Sequence, residues 1–184
     1  NTGGNGIEVD YSYNIQITNN EIDETDANGI YVNNSYSADI EGNEINDNTN
    51  PSSNTWLDGI YVTNSNYADI KNNKVEDTLG DGIEVRDSAW VEINDNLVKD
   101  AGEHGIHTNN TNFADVLSNT VQRAGFDGIH SSYSYNTFVN DNVIVDAGDD
   151  GIDVYNNGGT SVVDNNEIFN TGGNGIEVDY SYNI

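Results

Sequence analysis

Three residues that directly precede a recurring Gly-Ile dipeptide carry acid–base side chains: His104, Asp127 and Asp150. They are evenly spaced along the chain, so a fold that repeats at the same interval would place them side by side. General acid–base hydrolysis of a sugar bond requires two flanking carboxylates. The same position also holds Asp58 and Asp81 as ordinary members of the repeat. We therefore favour a structural role, and a polysaccharide hydrolase centred on His104, Asp127 and Asp150 is the alternative.

Positions in the repeat are counted from its glycine, which is taken as zero. His107 and His130 both lie at position +2, which is expected to point outward. Together with His104 they have the residue type that binds transition metals. They lack a confirming spacing such as His-Glu-x-x-His. The sequence therefore predicts exposed polar residues of a repeat ladder, with metal binding left open.

Acidic residues recur at two further repeat positions. At position +10 are Asp39, Asp69, Glu92 and Asp115. At position +18 are Glu24, Asp47, Asp77, Asp100 and Asp146. Like charges stacked across strands destabilise a sheet, so we predict that Ca²⁺ or another counterion binds the first column. The alternative is a solvated acidic face screened by salt. The calcium-binding repeat Gly-Gly-x-Gly-x-Asp is absent.

The composition excludes several classes of protein. The 184 residues fit one domain, and 32 acidic residues against five basic ones give a net charge of −27. Such a surface repels nucleic acid. The chain has no cysteine, which excludes a disulfide framework and a thiol nucleophile. No apolar stretch approaches the roughly 20 residues that span a bilayer, so we expect no membrane insertion.

The Gly-Ile dipeptide defines the organisation of the chain. Its glycines are Gly6, Gly29, Gly59, Gly82, Gly105, Gly128, Gly151 and Gly175. Most intervals are equal, and a period of about 23 residues indicates a solenoid. The interval from Gly29 to Gly59 is longer and contains the only proline, Pro51, which predicts an inserted loop at residues 48–57. We number the units that begin at these glycines as coils 1 to 8 and treat residues 1–184 as one continuous domain.

Across the coils, Ile or Val recurs at positions +1, +3, +11 and +16, with Thr108 and Ser131 as exceptions at +3 and mostly polar residues between. This alternation predicts three short strands per coil rather than a helix. Asn recurs at position +14, and its amide can bond the next coil. The predicted asparagine ladder comprises Asn20, Asn43, Asn73, Asn96, Asn119, Asn142 and Asn166.

The unit [Asn/Asp]-Gly-Ile-x-Val, Ala-Asp-Ile, Asn-x-[Ile/Val] resembles the right-handed parallel β-helix repeat of pectate lyases, polygalacturonases, phage tailspikes and surface repeat proteins. The resemblance implies an all-β, single-stranded right-handed parallel β-helix of about eight coils, with about 23 residues per coil. Gly148–Gly151 and Gly102–Gly105 are similar to two polygalacturonase motifs. Their order is reversed and the Arg-x-Lys clamp of that family is absent. Pectate lyases would imply a basic catalytic residue and a cationic surface, which this acidic chain does not offer.

Residues 1–15 recur without change at 170–184, so the two copies are offset by seven coils. Other coils agree only at structural positions, so fold constraint alone does not explain fifteen consecutive matches. We infer a higher-order repeat whose first copy covers residues 1–169. We expect adjacent copies, covalent or stacked head to tail, as partners.

Three classes of function are open at this point. The first is a non-catalytic structural module of a long extracellular or cell-surface fibre, sheath, stalk or adhesin. It would require no certain cofactor, with Ca²⁺ the one candidate, and would offer Asn33 and Asn109 as glycosylation sites. The second is a carbohydrate-binding β-helix that stacks surface glycans on exposed tyrosines, namely Tyr11, Tyr31, Tyr61, Tyr133, Tyr155 and Tyr180. The third is the hydrolase.

Overall fold

The computed structural model describes residues 3–48 and 57–184, which contain 22 β-strands and no helix. The first coils contain β1 (Ile7–Asp10), β2 (Tyr13–Thr18), β3 (Glu21–Asp23), β4 (Ile30–Asn33), β5 (Tyr36–Glu41), β6 (Glu44–Asn48), β7 (Ile60–Thr63), β8 (Asp69–Lys71) and β9 (Lys74–Thr78). The middle coils contain β10 (Ile83–Arg86), β11 (Ala89–Asn94), β12 (Leu97–Ala101), β13 (Ile106–Asn109), β14 (Asn112–Leu117) and β15 (Thr120–Gln122). The last coils contain β16 (Ile129–Ser132), β17 (Tyr135–Asn140), β18 (Val143–Val145), β19 (Ile152–Tyr155), β20 (Val162–Asp164), β21 (Glu167–Phe169) and β22 (Ile176–Asp179).

Every third strand belongs to the same parallel sheet. One sheet has eight strands in the order β1-β4-β7-β10-β13-β16-β19-β22, and we call it sheet 1. Sheet 2 runs β2-β5-β8-β11-β14-β17-β20, and sheet 3 runs β3-β6-β9-β12-β15-β18-β21. The described residues therefore wind through seven complete coils and the first strand of an eighth. This confirms the predicted parallel solenoid.

The predicted repeat positions align in register from coil to coil. In sheet 1, Ile83 pairs with Ile106 and Ile106 with Ile129. These inward isoleucines are fully buried, as are Val85 in the same sheet and Ile93 in sheet 2. Stacked β-branched side chains thus fill the interior, and each one contributes about 1.5–3 kcal/mol on burial.

The repeat glycines are required by space rather than by backbone conformation. A Cβ atom added at Gly105 would lie 2.2 Å from Cγ1 of Val121 and 2.6 Å from the carbonyl oxygen of Gly128 in the next coil. The other interior repeat glycines meet the same obstruction, for example Gly29 against Ile45 and Gly59. Only glycine lets the backbones of successive coils approach this closely.

The seven asparagines of the predicted ladder form one continuous hydrogen-bonded column at a corner. Asn96 is representative: its Oδ1 accepts bonds from the backbone N and Nδ2 of Asn73 at 2.9 and 3.0 Å. Its Nδ2 donates to Oδ1 of Asn119 at 3.0 Å and to the carbonyl of Ile70 at 2.8 Å. The amide is 2% exposed and uses all its hydrogen-bonding capacity. The equivalent Nδ2-to-Oδ1 bonds continue from Asn20 to Asn166.

A hydroxyl column satisfies a second corner in the same way. The backbone N–H of Ser35 donates to Oγ of Ser65, whose own N–H donates to Oγ of Ser88, each at 3.0 Å.

An inserted loop is predicted at residues 48–57. Residues 49–56 of this loop lie outside the described part of the chain. Among the described residues, no helix exists that is long and apolar enough to cross a membrane.

Candidate functional site

All three histidines of the chain meet on the outer side of sheet 1. His104 precedes β13, His107 lies in β13, and His130 lies in β16 directly across from His107. The His104 and His130 rings stack with centroids 4.6 Å apart and planes inclined by 17°. His107 lies 5.1 Å from the first ring and 4.9 Å from the second.

Carboxylates surround these rings. Oδ2 of Asp127 lies 3.2 Å from Nδ1 of His104 and 3.1 Å from Nδ1 of His130. Oδ2 of Asp153 lies 3.0 Å from the same nitrogen of His130. On the other side, Oδ2 of Asp81 lies 3.0 Å from Nδ1 of His107. We call these six residues the histidine cluster.

The histidine cluster is largely shielded from solvent. The three histidine side chains are only 12–17% exposed and the Asp127 side chain is 8% exposed. The prediction that these histidines are exposed ladder residues is therefore wrong, because the rings pack against one another and against carboxylates of neighbouring coils. The sequence did contain a signal for this cluster. The three histidines fall in consecutive coils, with His104 directly before a repeat glycine and His107 and His130 two residues after one.

The close contacts shift the ionisation of the histidine cluster. Burial alone lowers the pKa of His130, but hydrogen bonds to Asp127 and Asp153 outweigh it and raise the pKa to about 9. Burial alone raises the pKa of Asp127, but its close contacts with His104 and His130 and a hydrogen bond from the backbone of Asp150 hold the pKa well below its usual range. At neutral pH the site therefore contains a charged imidazolium–carboxylate pair.

The residue before each repeat glycine has a structural task. Its side chain accepts a hydrogen bond from the backbone N–H of the equivalent residue one coil later. Asp81 accepts from His104 at 2.8 Å, and Asp127 accepts from Asp150 at 2.9 Å. Asp150 in turn accepts from Asn174. Asp127 and Asp150 are both buried and bonded in this way, which supports their structural interpretation over a catalytic one.

A buried acidic group adjoins the histidine cluster. Asp58, Asp81 and Glu84 offer ligand atoms within 4.8 Å of one another and are all buried. Burial, followed by repulsion from Asp81 and Glu84, raises the pKa of Asp58 well above its usual range. Burial also raises the pKa of Glu84. Arg86 supplies one compensating charge, 3.1 Å from Glu84.

The acidic column predicted to bind Ca²⁺ lies on sheet 2 in the expected register. Asp39 pairs with Asp69, Asp69 with Glu92, and Glu92 with Asp115. Lys71 places its Nζ 3.0 Å from Oδ1 of Asp39 and 2.5 Å from Oδ2 of Asp69. The ammonium group of Lys71 therefore offsets part of the charge of the first two carboxylates, and Ca²⁺ or counterion binding stays a prediction for the column.

The second acidic column has a conformational explanation. Glu24, Asp77, Asp100 and Asp146 all have positive φ angles, between 52° and 60°. Aspartate and asparagine tolerate this left-handed conformation better than most residues. In the same column Arg123 forms a bidentate pair with Asp100, at 2.6 Å for both bonds. The side chain of Asp47 lies outside the described part of the chain.

A continuous aromatic column lies along sheet 2. The ring centroids of Tyr13, Tyr36, Tyr67, Trp90 and Phe113 are 4.0–6.3 Å apart between neighbours. Trp90 stacks on Phe113 at 4.0 Å with planes only 7° apart. Tyr67, Trp90 and Phe113 also have φ angles of 58–60°, which is strained for bulky residues. They line an open groove of about 270 Å³ together with Val91, Glu92, Asp115 and Phe138.

Five of the six tyrosines predicted to stack sugars form two smaller groups on sheet 1. Tyr31 packs on Tyr61 at 5.6 Å. Tyr133, Tyr155 and Tyr180 follow one another at 5.6 and 5.7 Å. Tyr31, Tyr61 and Tyr155 are half-buried, contrary to the expectation of full exposure, whereas Tyr11, Tyr133 and Tyr180 are exposed.

The candidate glycosylation sites lie at strand ends. Nδ2 of Asn33 donates to Asp10, and Nδ2 of Asn109 donates to Ser132, both at 2.9 Å. The hydroxyl residues of the two sequons, Ser35 and Thr111, are buried in the corner column. Each amide nitrogen that would carry a glycan therefore already donates to a neighbouring coil.

The last coil exposes residues that are buried in every interior coil. Ile176 and Val178 are 49% and 39% exposed, whereas the equivalent Ile152 and Val154 are fully buried. Gly175 has no atom within 4 Å of an added Cβ. In Gly6, the same residue of the identical segment, that Cβ would lie 2.4 Å from Ile22 and 2.7 Å from the carbonyl of Gly29.

Solved structures with similar folds include enzymes and an adhesin. A mutant of the periplasmic alginate epimerase AlgG matches with a TM-score of 0.77 and 14% identity over 97% of this chain and 48% of that chain. The A-module of Azotobacter vinelandii mannuronan C-5 epimerase AlgE4 gives 0.64 and 14% over 95% and 52%. The Streptococcus pneumoniae surface protein and adhesin PfbA gives 0.60 and 10% over 94% and 68%. The chain thus spans about half the length of the two epimerase structures.

Identities this low establish the fold alone. No curated protein sequence matches the chain. The protein-family model described as "Right handed beta helix region" matches residues 1–121 and 112–184, which together cover the whole sequence. The chain belongs to the right-handed β-helix family.

Proposed function

We propose that the chain is a non-catalytic structural module, one unit of a tandem β-helix array that forms a long extracellular or cell-surface fibre. The observation that carries this proposal is the identity of residues 1–15 with residues 170–184, which occupy equivalent strands of sheet 1. A following coil would cover Ile176 and Val178 as coil 2 covers Ile7 and Val9. Burying each such side chain contributes about 1.5–3 kcal/mol.

The register for such continuation already exists in the structure. β22 pairs with β19 as an ordinary strand of sheet 1, from Ile152 opposite Ile176 to Tyr155 opposite Asp179. The identical segment in β1 pairs with β4 through Ile7 opposite Ile30. Residues 170–184 therefore pair with coil 7 on one side. On the other side they have the sequence that pairs with coil 2 in the first copy. At about 4.8 Å per coil, each seven-coil copy would lengthen the fibre by about 34 Å.

Periplasmic and surface-associated relatives of the same fold are compatible with a location outside the cytoplasm. The absence of cysteine and the acidic, lysine-poor surface suit an exposed, inert spacer. The structural hydrogen bonds of Asp127 and Asp150 support a non-catalytic role for them.

Gly175→Ala tests this proposal in two contexts. In the 184-residue chain the added methyl group meets nothing, so the melting temperature should be unchanged. In a chain where residue 184 is followed by a second run of residues 16–184, the same methyl group should meet the counterparts of Ile22 and the Gly29 carbonyl. That longer chain should lose stability by at least about 1–3 kcal/mol, the usual cost of overpacking. No loss in the longer chain would refute continuation of the coil stack.

The aromatic column favours a second candidate, the binding of a glycan. Exposed Trp90 and Tyr67, with Phe113 beside them, offer a continuous apolar surface, and Glu92 and Asp115 in the same groove offer hydrogen-bond acceptors for sugar hydroxyls.

Fluorescence and affinity electrophoresis test the glycan-binding candidate. Trp56→Phe leaves Trp90 as the only tryptophan, and its fluorescence should then respond to a binding polysaccharide in a panel of neutral glycans. Trp90→Asn is a suitable control for affinity electrophoresis, because Asn14 and Asn136 occupy the same left-handed position. Equal retention of Trp90→Asn and the parent chain in the polysaccharide gel would exclude the groove as the glycan-binding site.

A further inference from the structure

Asp127 holds one oxygen between two imidazole nitrogens. Its Oδ2 is 3.2 Å from Nδ1 of His104 and 3.1 Å from Nδ1 of His130. Ligand atoms of these three residues all lie within 4.8 Å of one another. In tetrahedral zinc sites, bonds of about 2.0–2.1 Å place neighbouring ligand atoms about 3.3–3.4 Å apart. The two distances from Oδ2 of Asp127 to the imidazole nitrogens are therefore already close to the spacing between zinc ligands.

A histidine at position 104 weakens the corner in which it lies. The backbone N–H of Asp127 reaches Nδ1 of His104 at 3.3 Å, whereas the equivalent bonds to Asp81 and Asp127 are 2.8 and 2.9 Å. All the remaining residues that directly precede a repeat glycine are Asn or Asp. The corner itself gives no reason for an imidazole, which points to a role for His104 other than folding.

The charges around the triad favour a cation. Besides Asp127, the side chains of Asp81 and Asp153 lie within the cluster, both mostly buried, and Asp153 is 3.0 Å from His130. Arg86, the arginine beside this group, is engaged by Glu84. A divalent ion would take the place of the proton that His130 shares with Asp127 and Asp153 and would offset the same carboxylates. Asp153 is placed to serve as a fourth ligand or to orient His130.

We propose that His104, Asp127 and His130 bind one divalent transition-metal ion of the zinc class. Imidazole nitrogen selects Zn²⁺, Cu²⁺ or Ni²⁺ over Ca²⁺ and Mg²⁺, which prefer oxygen ligands. The ion would join the last residues of coils 4 and 5 to the first strand of coil 6 and so brace three successive coils. This site is separate from the acidic column on sheet 2 and does not depend on the fibre proposal.

The test is isothermal titration of the 184-residue chain with Zn²⁺ in the presence of excess Ca²⁺, which occupies the nonspecific carboxylate sites. The expected result is one tight equivalent that Ca²⁺ does not displace, together with a higher melting temperature. With Co²⁺ as the probe, the bound ion should show the visible absorption of a tetrahedral site.

Three variants remove ligands while preserving the fold. Asp127→Asn retains Oδ1 as the acceptor for Asp150, and His104→Asn installs the residue found at Asn5, Asn28 and Asn174. With His130→Gln, each should weaken Zn²⁺ binding by more than about 10-fold, the lower end of losses seen even for outer partners. His104→Asn should also keep or raise the melting temperature of the metal-free chain.

The matched control is Asp95→Asn. Asp95 is exposed and lies between β11 and β12, away from the histidine cluster on sheet 1. This variant removes one negative charge, as Asp127→Asn does, but no ligand of the proposed site. It should therefore bind Zn²⁺ as the parent chain does.

Two results would overturn the proposal. One is Zn²⁺ binding that Ca²⁺ displaces, or that the three variants leave intact. The other is weaker Zn²⁺ binding in His107→Gln with unchanged binding in His130→Gln, because this would place the ion at the alternative triad of Asp81, His104 and His107.

Discussion

Removing one rung of the asparagine ladder should destabilise the protein strongly. In Asn96→Ala, the backbone N–H and one Nδ2 hydrogen of Asn73 lose their acceptor, Oδ1 of Asn96, from distances of 2.9 and 3.0 Å. Both donors are buried, and leaving a buried donor unsatisfied costs about 1–3 kcal/mol. For two donors the expected loss is about 2–6 kcal/mol, a large part of the roughly 5–15 kcal/mol typical of a domain.

Urea denaturation of Asn96→Ala measures this loss directly. Asn112→Ala is the matched control, because Asn112 is exposed at the start of β14 and should cost little. Asn96→Asp separates hydrogen bonding from shape. Its carboxylate keeps an acceptor for Asn73 but faces the oxygens of Asn119 and Ile70 without a hydrogen to donate, so it should also be destabilised. A loss below about 0.5 kcal/mol in Asn96→Ala, equal to that of the control, would refute the structural role of the ladder.

Two further predictions concern close packing and surface charge. Gly105→Ala should lose at least about 2–3 kcal/mol in denaturation, because the new methyl group meets Val121 and the Gly128 carbonyl; stability equal to that of the parent would contradict the steric role of the repeat glycines. Lys71→Gln should lower stability by up to about 1 kcal/mol at low ionic strength, since it leaves Asp39 and Asp69 facing each other. That loss should shrink at about 1 M NaCl, where the Debye length is about 3 Å; a loss independent of salt would show that packing rather than charge is responsible.

The fold was predictable because its determinants are periodic. The isoleucines that begin the sheet 1 strands, such as Ile83 and Ile106, recur at the repeat interval and pair with one another in register. Asn96 and its equivalents were identifiable for the same reason. A column of identical residues in the sequence becomes a column of contacts when coils stack, so local pattern and tertiary structure coincide.

The candidate site was less predictable because it depends on which outward columns converge. The repeat positions of His104 and His107 were known, but the packing of their rings against His130 and the neighbouring carboxylates was not. The pairing of Lys71 with Asp69 follows from their alternate positions in β8, which place both side chains on one face of the strand, and this signal was overlooked. The left-handed backbone of Trp90 had no sequence signal, since bulky residues rarely adopt it.

The most direct test of continuous stacking is the length of the two-copy chain, measured by small-angle X-ray scattering. Residues 1–184 followed by a second run of residues 16–184 should form one rod. We predict that its maximum dimension exceeds that of the single chain by about 34 Å, seven coils of about 4.8 Å, at an unchanged cross-sectional radius. Two separate bodies joined by a flexible segment, or a larger cross-section without the added length, would contradict the account.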